Sequence, residues 1–264
     1  MRFDQVIAQF YAEQSDDLSI NVPENWGQGR AVFGGMAAAL ALQHVLDVIP
    51  SDVSLRSVSV SFVAPLNAGE AIVKRRVLRR GGSAIQTYIE IFQQDQSMLV
   101  MLASFGKHRS SAYFLDGIIA PEWSTDSVKT LPKEGRVPEF TTHFDYKIMQ
   151  GALPFTNGNQ RTLGGQIRFH EDFESSITYP AMLALIDAWP PVSLTLLSSP
   201  AAASSMTWTV EFITHASHFK TSDWWSYLAN IEYAADGYHH IEAKMWSPDG
   251  KLAAISRQTV ALFA

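Results

Sequence analysis

VPENWGQGRAVFGGMAAALALQHVL, residues 22–46, passes from Pro, Asn and Gly through the pair Gly34-Gly35 into an unbroken run of Ala, Leu and Met. From Met36 to Leu46 the residues are strong helix formers and are apolar nearly all the way round. A helix lying on a surface keeps one polar face, so this pattern predicts a helix wrapped on several sides and central to the fold. Glycine weakens a helix, and two of them at its mouth need a reason.

Around that helix the grammar is plain. Phe3, Val6, Ile7, Phe10 and Tyr11 predict a first helix over residues 3–13, and LSINVP predicts a short strand. LRSVSVSFVAP (55–65) sets Val58, Val60 and Phe62 against Ser57, Ser59 and Ser61, a strand with one buried side. AIVKRRVLRR (71–80), the turn Gly81-Gly82, SAIQTYIEIFQQ (83–94), a bend at Asp95 to Ser97 and MLVMLASFGKH (98–108) complete four antiparallel strands joined by short turns. Residues 109–140 dissolve into Pro, Ser, Thr and charge, as a connecting segment does. Beyond them TLGGQIRFHEDF (162–173) reads as a strand, YPAMLALIDAW (179–189) as a second apolar helix and SMTWTVEFIT (205–214) as an alternating strand. Residues 224–263 supply strand, turn, strand, Pro-Asp-Gly turn, strand.

The chain therefore says one thing twice. LALQHV (40–45) and LALIDA (183–188) are 143 residues apart, Phe62 and Phe212 are 150 apart, and SMLVMLASF (97–105) matches GKLAAISRQ (250–258) at 153. The expected fold is α+β: a unit over 1–110, a linker over 111–140 and a second unit over 141–264. Two tandem helix-wrapped antiparallel sheets would join edge to edge into one, sparing each an open edge. A duplicated αβ-plait is the alternative, but it needs two good helices per half.

Composition narrows the function. With 264 residues, 47% hydrophobic, the chain can bury one large core or two of ordinary size. A net charge of -6 gives no field favouring nucleic acid. The absence of Cys excludes disulfides, zinc-thiolate sites and a Cys nucleophile. No apolar run approaches the roughly 18 residues that span a bilayer, and the N-terminal stretch lacks the pattern of a signal peptide. The expectation is a soluble protein, cytoplasmic by default, with no membrane span and no cofactor.

GRAVFGGMAAALALQHV, LRSVSVSFVAPLNAGEAIVKRRVLRRGGSAIQTYIEIFQQDQSMLVMLASF and the closing GKLAAISRQTVALF resemble the acyl-CoA thioesterase II family. The resemblance covers most of residues 20–110 and, more thinly, 160–264. Its most specific parts are the Phe-Gly-Gly helix entry, the F-x-x-P strand end at Phe62 to Pro65, RRGGSA and the ASF strand. It implies a double hotdog fold and cleavage of fatty acyl-CoA, or a related acyl thioester, to free acid and CoA. Hotdog units usually pair further, which implies a homo-oligomer, dimer or higher. The family's water-activating Asp, Gln and Ser or Thr fall on Asp187, Gln258 and Ser205. Thr207, two residues along the strand, is expected to face the same way and stays a candidate. The family's Asp-His pair in that strand is absent; Thr207 and Trp208 stand there.

Each candidate has a plainer reading. Asp187 is a carboxylate within an apolar helix, flanked by Ile186 and Ala188, which suits a general base with a raised pKa. It could instead face solvent near Trp189-Pro190-Pro191. Gln258, Ser205 and Thr207 could be ordinary strand residues. Gly34, Gly35 and Met36 could present helix-start N–H groups to a thioester carbonyl, or merely allow close packing. KRRVLRR (74–80) could meet CoA phosphates but reads more readily as a solvated strand face. His215 and His218 have no third ligand nearby, and His239 and His240 point to opposite faces of a strand, so no metal is expected. Without a G-x-S-x-G elbow, catalysis by activated water is what remains. The rivals are a hotdog hydratase or dehydratase, which wants a positioned His–Asp pair, and a hotdog protein that binds acyl thioesters without cleaving them. His44 stands where Asp187 has its counterpart, and Tyr179-Pro180-Ala181 replaces the glycine entrance, so one working site per chain is expected.

Overall fold

The computed structural model describes residues 1–11, 15–133, 137–170, 174–213 and 218–263. In chain order the elements are α1 (Phe3–Ile7), β1 (Asp17–Val22), β2 (Gly27–Gln28), β3 (Ala31–Val32), α2 (Gly34–Leu46), β4 (Val53–Phe62), β5 (Gly69–Arg80), β6 (Ala84–Gln93) and β7 (Gln96–Lys107). Then follow β8 (Phe144–Gln150), β9 (Thr162–Phe169), α3 (Tyr179–Asp187), β10 (Ala202–Phe212), β11 (Trp225–Ala235), β12 (Tyr238–Trp246) and β13 (Leu252–Phe263). β2 and β3 pair only with each other; the other 11 strands form one sheet in the order β1-β5-β6-β7-β4-β10-β13-β12-β11-β9-β8.

The two repeats join where β4 meets β10, antiparallel, with Val60 opposite Trp208, Ser59 opposite Thr209 and Val58 opposite Val210. Ser59 faces its own counterpart in the repeat, so a pseudo-twofold axis passes through that pair. Each half thereby covers the other's edge. α2 and α3 pack against one another, and α2 also lies on β5, β6 and β7. Every residue of α2 from Gly35 to Val45 is buried. Its Ala37, Ala38, Ala39 and Ala41 add little bulk, which lets neighbouring elements approach closely, while Leu40 and Leu42 at 0% exposure fill the space between. A single continuous core runs from Phe3 to Val260 through both repeats. This is a double hotdog.

The structure departs from expectation in four places. The helix expected over 3–13 ends at Ile7 and tightens into a 3-10 turn over Ala8–Tyr11, leaving Tyr11 exposed. β4 pairs with β7 rather than with its successor β5, because β7 returns to close the half-sheet. β8 had no reading in the sequence, although Phe144, Tyr146 and Ile148 alternate inward. Finally, Phe62 pairs with Leu99 as Phe212 pairs with Ala254, so Leu99 corresponds to Ala254, two residues beyond the Leu252 that sequence matching selects. The connecting segment is not detached: Trp246 Nε1 donates to Ile118 O at 2.6 Å, Trp123 Nε1 to Ser226 Oγ at 3.2 Å, and Lys129 bridges to Ile148. Among the described residues no helix is long and apolar enough to cross a membrane.

Leu40→Ala should lower unfolding free energy by about 3 kcal/mol, the usual cost of a cavity where repacking is restricted. Urea denaturation measures it, and a loss near zero would mean that α2 is not enclosed as described.

Candidate active site

α3 is short for local reasons. Thr178 caps it, its hydroxyl accepting from Ala181 N at 3.3 Å, and Pro180 sits in the first turn. Pro190 and Pro191 follow its end and cannot continue it. The helix therefore stops with Asp187 as its last residue, next to the start of α2.

There Gly34 and Gly35 have their reason. A Cβ on Gly34 would lie 2.8 Å from Asp187 Oδ2 and 3.1 Å from Phe62 Cζ; one on Gly35 would lie 2.3 Å from Phe33 Cζ and 3.0 Å from Asp187 Cβ. Only glycine lets the helix start come this close to the carboxylate. The Gly35 N–H hydrogen-bonds to Asp187. The Met36 N–H donates to Phe33 O at 3.0 Å. The expectation that all three N–H groups await a thioester oxygen is thus corrected, because the carboxylate and the first helical turn take two of them. Gly34 N–H has no partner among the described residues.

On the other side Gln258 Nε2 donates to Asp187 Oδ1 at 2.5 Å, and Ser205 Oγ donates to Gln258 Oε1 at 3.3 Å. Three of the candidates from separate elements form one line. Thr207 does not join them. A bulge at Met206 puts Ser205 opposite Val260 but Thr207 opposite Thr259, so the extra residue breaks the alternation on which their shared direction depended. Trp208 and Val210 are buried inward, whereas Thr207 is exposed and lines an outer groove with Thr209, Glu242 and Arg257.

Asp187 is half-buried, yet protein surrounds it closely enough for desolvation to dominate its chemistry. It lines a narrow cavity with Gln258, Ser256, Trp189 and Tyr227. Burial pushes its pKa up from 3.8 to about 7, against the opposing pull of the hydrogen bonds from Gln258 and Gly35. A carboxylate tuned to neutral pH can take a proton from water and give it back.

The remaining candidates lie elsewhere. Within KRRVLRR, Arg75 turns inward and is buried, its Nη1 donating to His44 O at 2.5 Å and Asp47 Oδ1 at 2.7 Å and its Nε to Asp16 Oδ1 at 3.1 Å. Lys74 pairs with Asp17 at 2.9 Å and Arg76 lies over the Tyr88 ring. His215 lies outside the described residues, among which no group of three or more acidic or His side chains could hold a metal. His239 and His240 sit opposite Val260 and Thr259, on opposite faces. A His–Asp pair does exist, which the sequence did not reveal: His170 Nδ1 lies 3.0 Å from Asp145 Oδ1. It sits on the outer face, since Asp145 alternates with buried Phe144 and Tyr146, and Arg168 and Lys133 also bind that carboxylate. Tyr227 and Ser256, on the cavity wall, were missed because nothing in a strand's alternation marks which inward residue meets a site. Trp189 follows Asp187 by two residues, so proximity alone could have raised it.

Fold and site together define a double hotdog protein with a desolvated, half-buried carboxylate shared between its halves. The chain belongs to the acyl-CoA thioesterase family: residues 22–106 match its acyl-CoA thioesterase N-terminal domain and residues 121–262 its acyl-CoA thioesterase C-terminal domain. Solved structures share the fold at low identity. A conserved protein of unknown function with a hot dog fold from Alicyclobacillus acidocaldarius superposes with a TM-score of 0.84 at 19% identity, over 96% of this chain and 95% of that one. Acyl-CoA thioesterase II TesB2 from Mycobacterium marinum gives 0.74 at 17% over 98% of each, and the tesB protein of Mycobacterium avium subs paratuberculosis gives 0.73 at 15% over 99% of each. No curated protein is close enough in sequence to match.

Because the folded-state pKa of Asp187 lies above its ordinary value of 3.8, the folded protein keeps a proton that the unfolded chain has released between pH 3.8 and about 7. The stability this contributes is present at low pH and declines as pH rises through that window, by ~1.4 kcal/mol per unit. Asp187→Asn removes the decline. Its stability relative to the native protein should therefore rise by a few kcal/mol between pH 5 and pH 8 in urea denaturation. An equal difference at both pH values would mean that the carboxylate is solvated.

Proposed function

We propose that this chain hydrolyses acyl-CoA thioesters to free acid and CoA, with water as the nucleophile and Asp187 as its base. The observation that carries the reading is the hydrogen-bonded line Ser205–Gln258–Asp187 ending at a carboxylate whose pKa is about 7. Ionised Asp187 takes a proton from water as the water oxygen attacks the thioester carbon. Gln258 holds the carboxylate by its N–H, and Ser205 holds Gln258 in that orientation by donating to its carbonyl. The same bond argues against Ser205 as a nucleophile, because its acceptor is an amide oxygen and no base. The start of α2, with the Gly34 N–H and the positive end of the helix dipole, suits the negative oxygen of the tetrahedral intermediate.

Release of free thiol from acyl-CoA substrates of increasing chain length tests this. Asp187→Ala should lose about 100- to 10,000-fold in kcat, the range of a positioned general base. Ser205→Ala and Gln258→Ala should each lose about tenfold or more, and Thr207→Ala should match the native enzyme. For the native enzyme kcat should rise as pH passes through about 7. No thiol from any acyl-CoA, or release indifferent to Asp187→Ala, would sink the proposal. A change in enoyl absorbance without free CoA would reveal a hydratase instead.

A further inference from the structure

Beyond the Asp, Gln and Ser line, the structure holds residues suited to seat the water itself. The cavity at the end of α3 is walled by Asp187, Trp189, Tyr227, Ser256 and Gln258, with aliphatic side chains closing the rest. The room it leaves for the centre of a water-sized sphere is about 10 Å³. That is roughly what a single water requires, provided it also finds about two to four polar partners.

The partners are there. Tyr227 is 7% exposed, and its hydroxyl has no hydrogen-bond partner among the described residues. Ser256 Oγ accepts from Trp208 Nε1 at 2.8 Å, which leaves its own proton to give. Trp189 is 5% exposed, and its buried Nε1–H has no partner among the described residues. A buried donor left without a partner costs about 1–3 kcal/mol, so the Trp189 N–H marks a wall suited to meet an oxygen, and the unpaired Tyr227 hydroxyl lies on the same cavity. The wall is also rigid. The Trp189 ring lies face to face on Tyr227, with centroids 4.9 Å apart and planes within 8°. It also meets Tyr146 edge-on at 6.0 Å, and the Tyr146 hydroxyl donates to Ala188 O at 3.0 Å.

We propose that Tyr227 is a positioning residue for the hydrolytic water, donating its hydroxyl to one lone pair of that water while Trp189, stacked upon it, keeps it in place. The assignment rests on the reading of the site as a thioesterase. In this arrangement the water gives one O–H to the Asp187 carboxylate and keeps its second lone pair for the thioester carbon. As the C–O bond forms, that proton passes to Asp187. The tetrahedral intermediate then expels the CoA thiolate, breaking the C–S bond, and the thiolate recovers the proton from Asp187. Burial, and after it the charge of Asp187, raises the Tyr227 pKa, in keeping with a hydroxyl that stays protonated beside the carboxylate.

Tyr227→Phe removes the hydroxyl and leaves the stack. In acyl-CoA hydrolysis its kcat should fall about 10- to 100-fold with KM within about threefold, the pattern of an interaction used in the chemical step. The acid limb of its kcat–pH profile should move to higher pH, because a donor near the ionised carboxylate is gone. A high-resolution crystal structure of the native protein should place a water within hydrogen-bond distance of both Asp187 and the Tyr227 oxygen, and the Tyr227→Phe crystal should show it displaced. Trp189→Phe should lower kcat in the same direction. Native kcat and an unmoved acid limb in Tyr227→Phe, or a native cavity without that water, would overturn the assignment alone. Native protein that cleaves no acyl-CoA would overturn the reading beneath it as well.

Discussion

A carboxylate carried into the interior by an apolar helix loses its hydration, and the centre of this molecule is arranged around that one loss. Asp187 meets a helix start on one side and a side-chain amide on the other, and neither is strong enough to return its pKa to 3.8. The result is a carboxyl group that titrates near neutrality rather than a permanently ionised one. The arrangement depends on bare backbone: any side chain at Gly34 or Gly35 would push α2 away from Asp187, Phe62 or Phe33. The two glycines and the two prolines after α3 act on the same contact, the former letting one helix begin there and the latter making the other end there.

Duplication supplied both halves of the contact and then let them diverge. The repeats keep matching backbone irregularities: β4 has a register shift between Leu55 and Ser57 as β10 has one between Ser205 and Thr207. Their chemistry is not kept. Following the pairing, Leu55 stands where Ser205 stands, Ala103 where Gln258 stands, and His44 takes the place of Asp187. His44 is 3% exposed, with Nε2 at 3.0 Å from Asp16 O, and burial pushes its pKa down. Arg75 then binds the His44 carbonyl, Asp16 and Asp47, filling with structural ion pairs a region whose counterpart holds the cavity. A fold symmetric in backbone thus carries a carboxylate line on one side only.

Much of this was legible in residues alone, for physical reasons that can be named. An apolar run without a polar face can only be wrapped, Val-Ser alternation can only be a one-sided strand, and their recurrence about 150 residues apart in the sequence demands a paired architecture. The meeting of Asp187, Gln258 and Ser205 was anticipated from resemblance, since nothing in local pattern joins positions on three elements. Local pattern failed where the decisive fact was non-local. The bulge at Met206 turns Thr207 outward, and it is set by how β10 pairs with β13 and β4, not by the letters of β10. The glycine N–H groups were read as free because a sequence does not say that a carboxylate already stands before them. Tyr227 gave no signal, being one of many aromatics expected to pack, and Trp189 had only its nearness to Asp187 in the chain to mark it.

What the sequence determined by itself was the set of elements, their duplication and the residue types able to do chemistry, because these follow from short-range periodicity and from side-chain identity. What only the tertiary structure decided was which hydroxyl faces inward, which backbone donors are already engaged, and that the carboxylate shares a cavity about one water in size. Those are consequences of strand register and of one helix ending against the start of another, and both are fixed by packing between residues far apart in the chain.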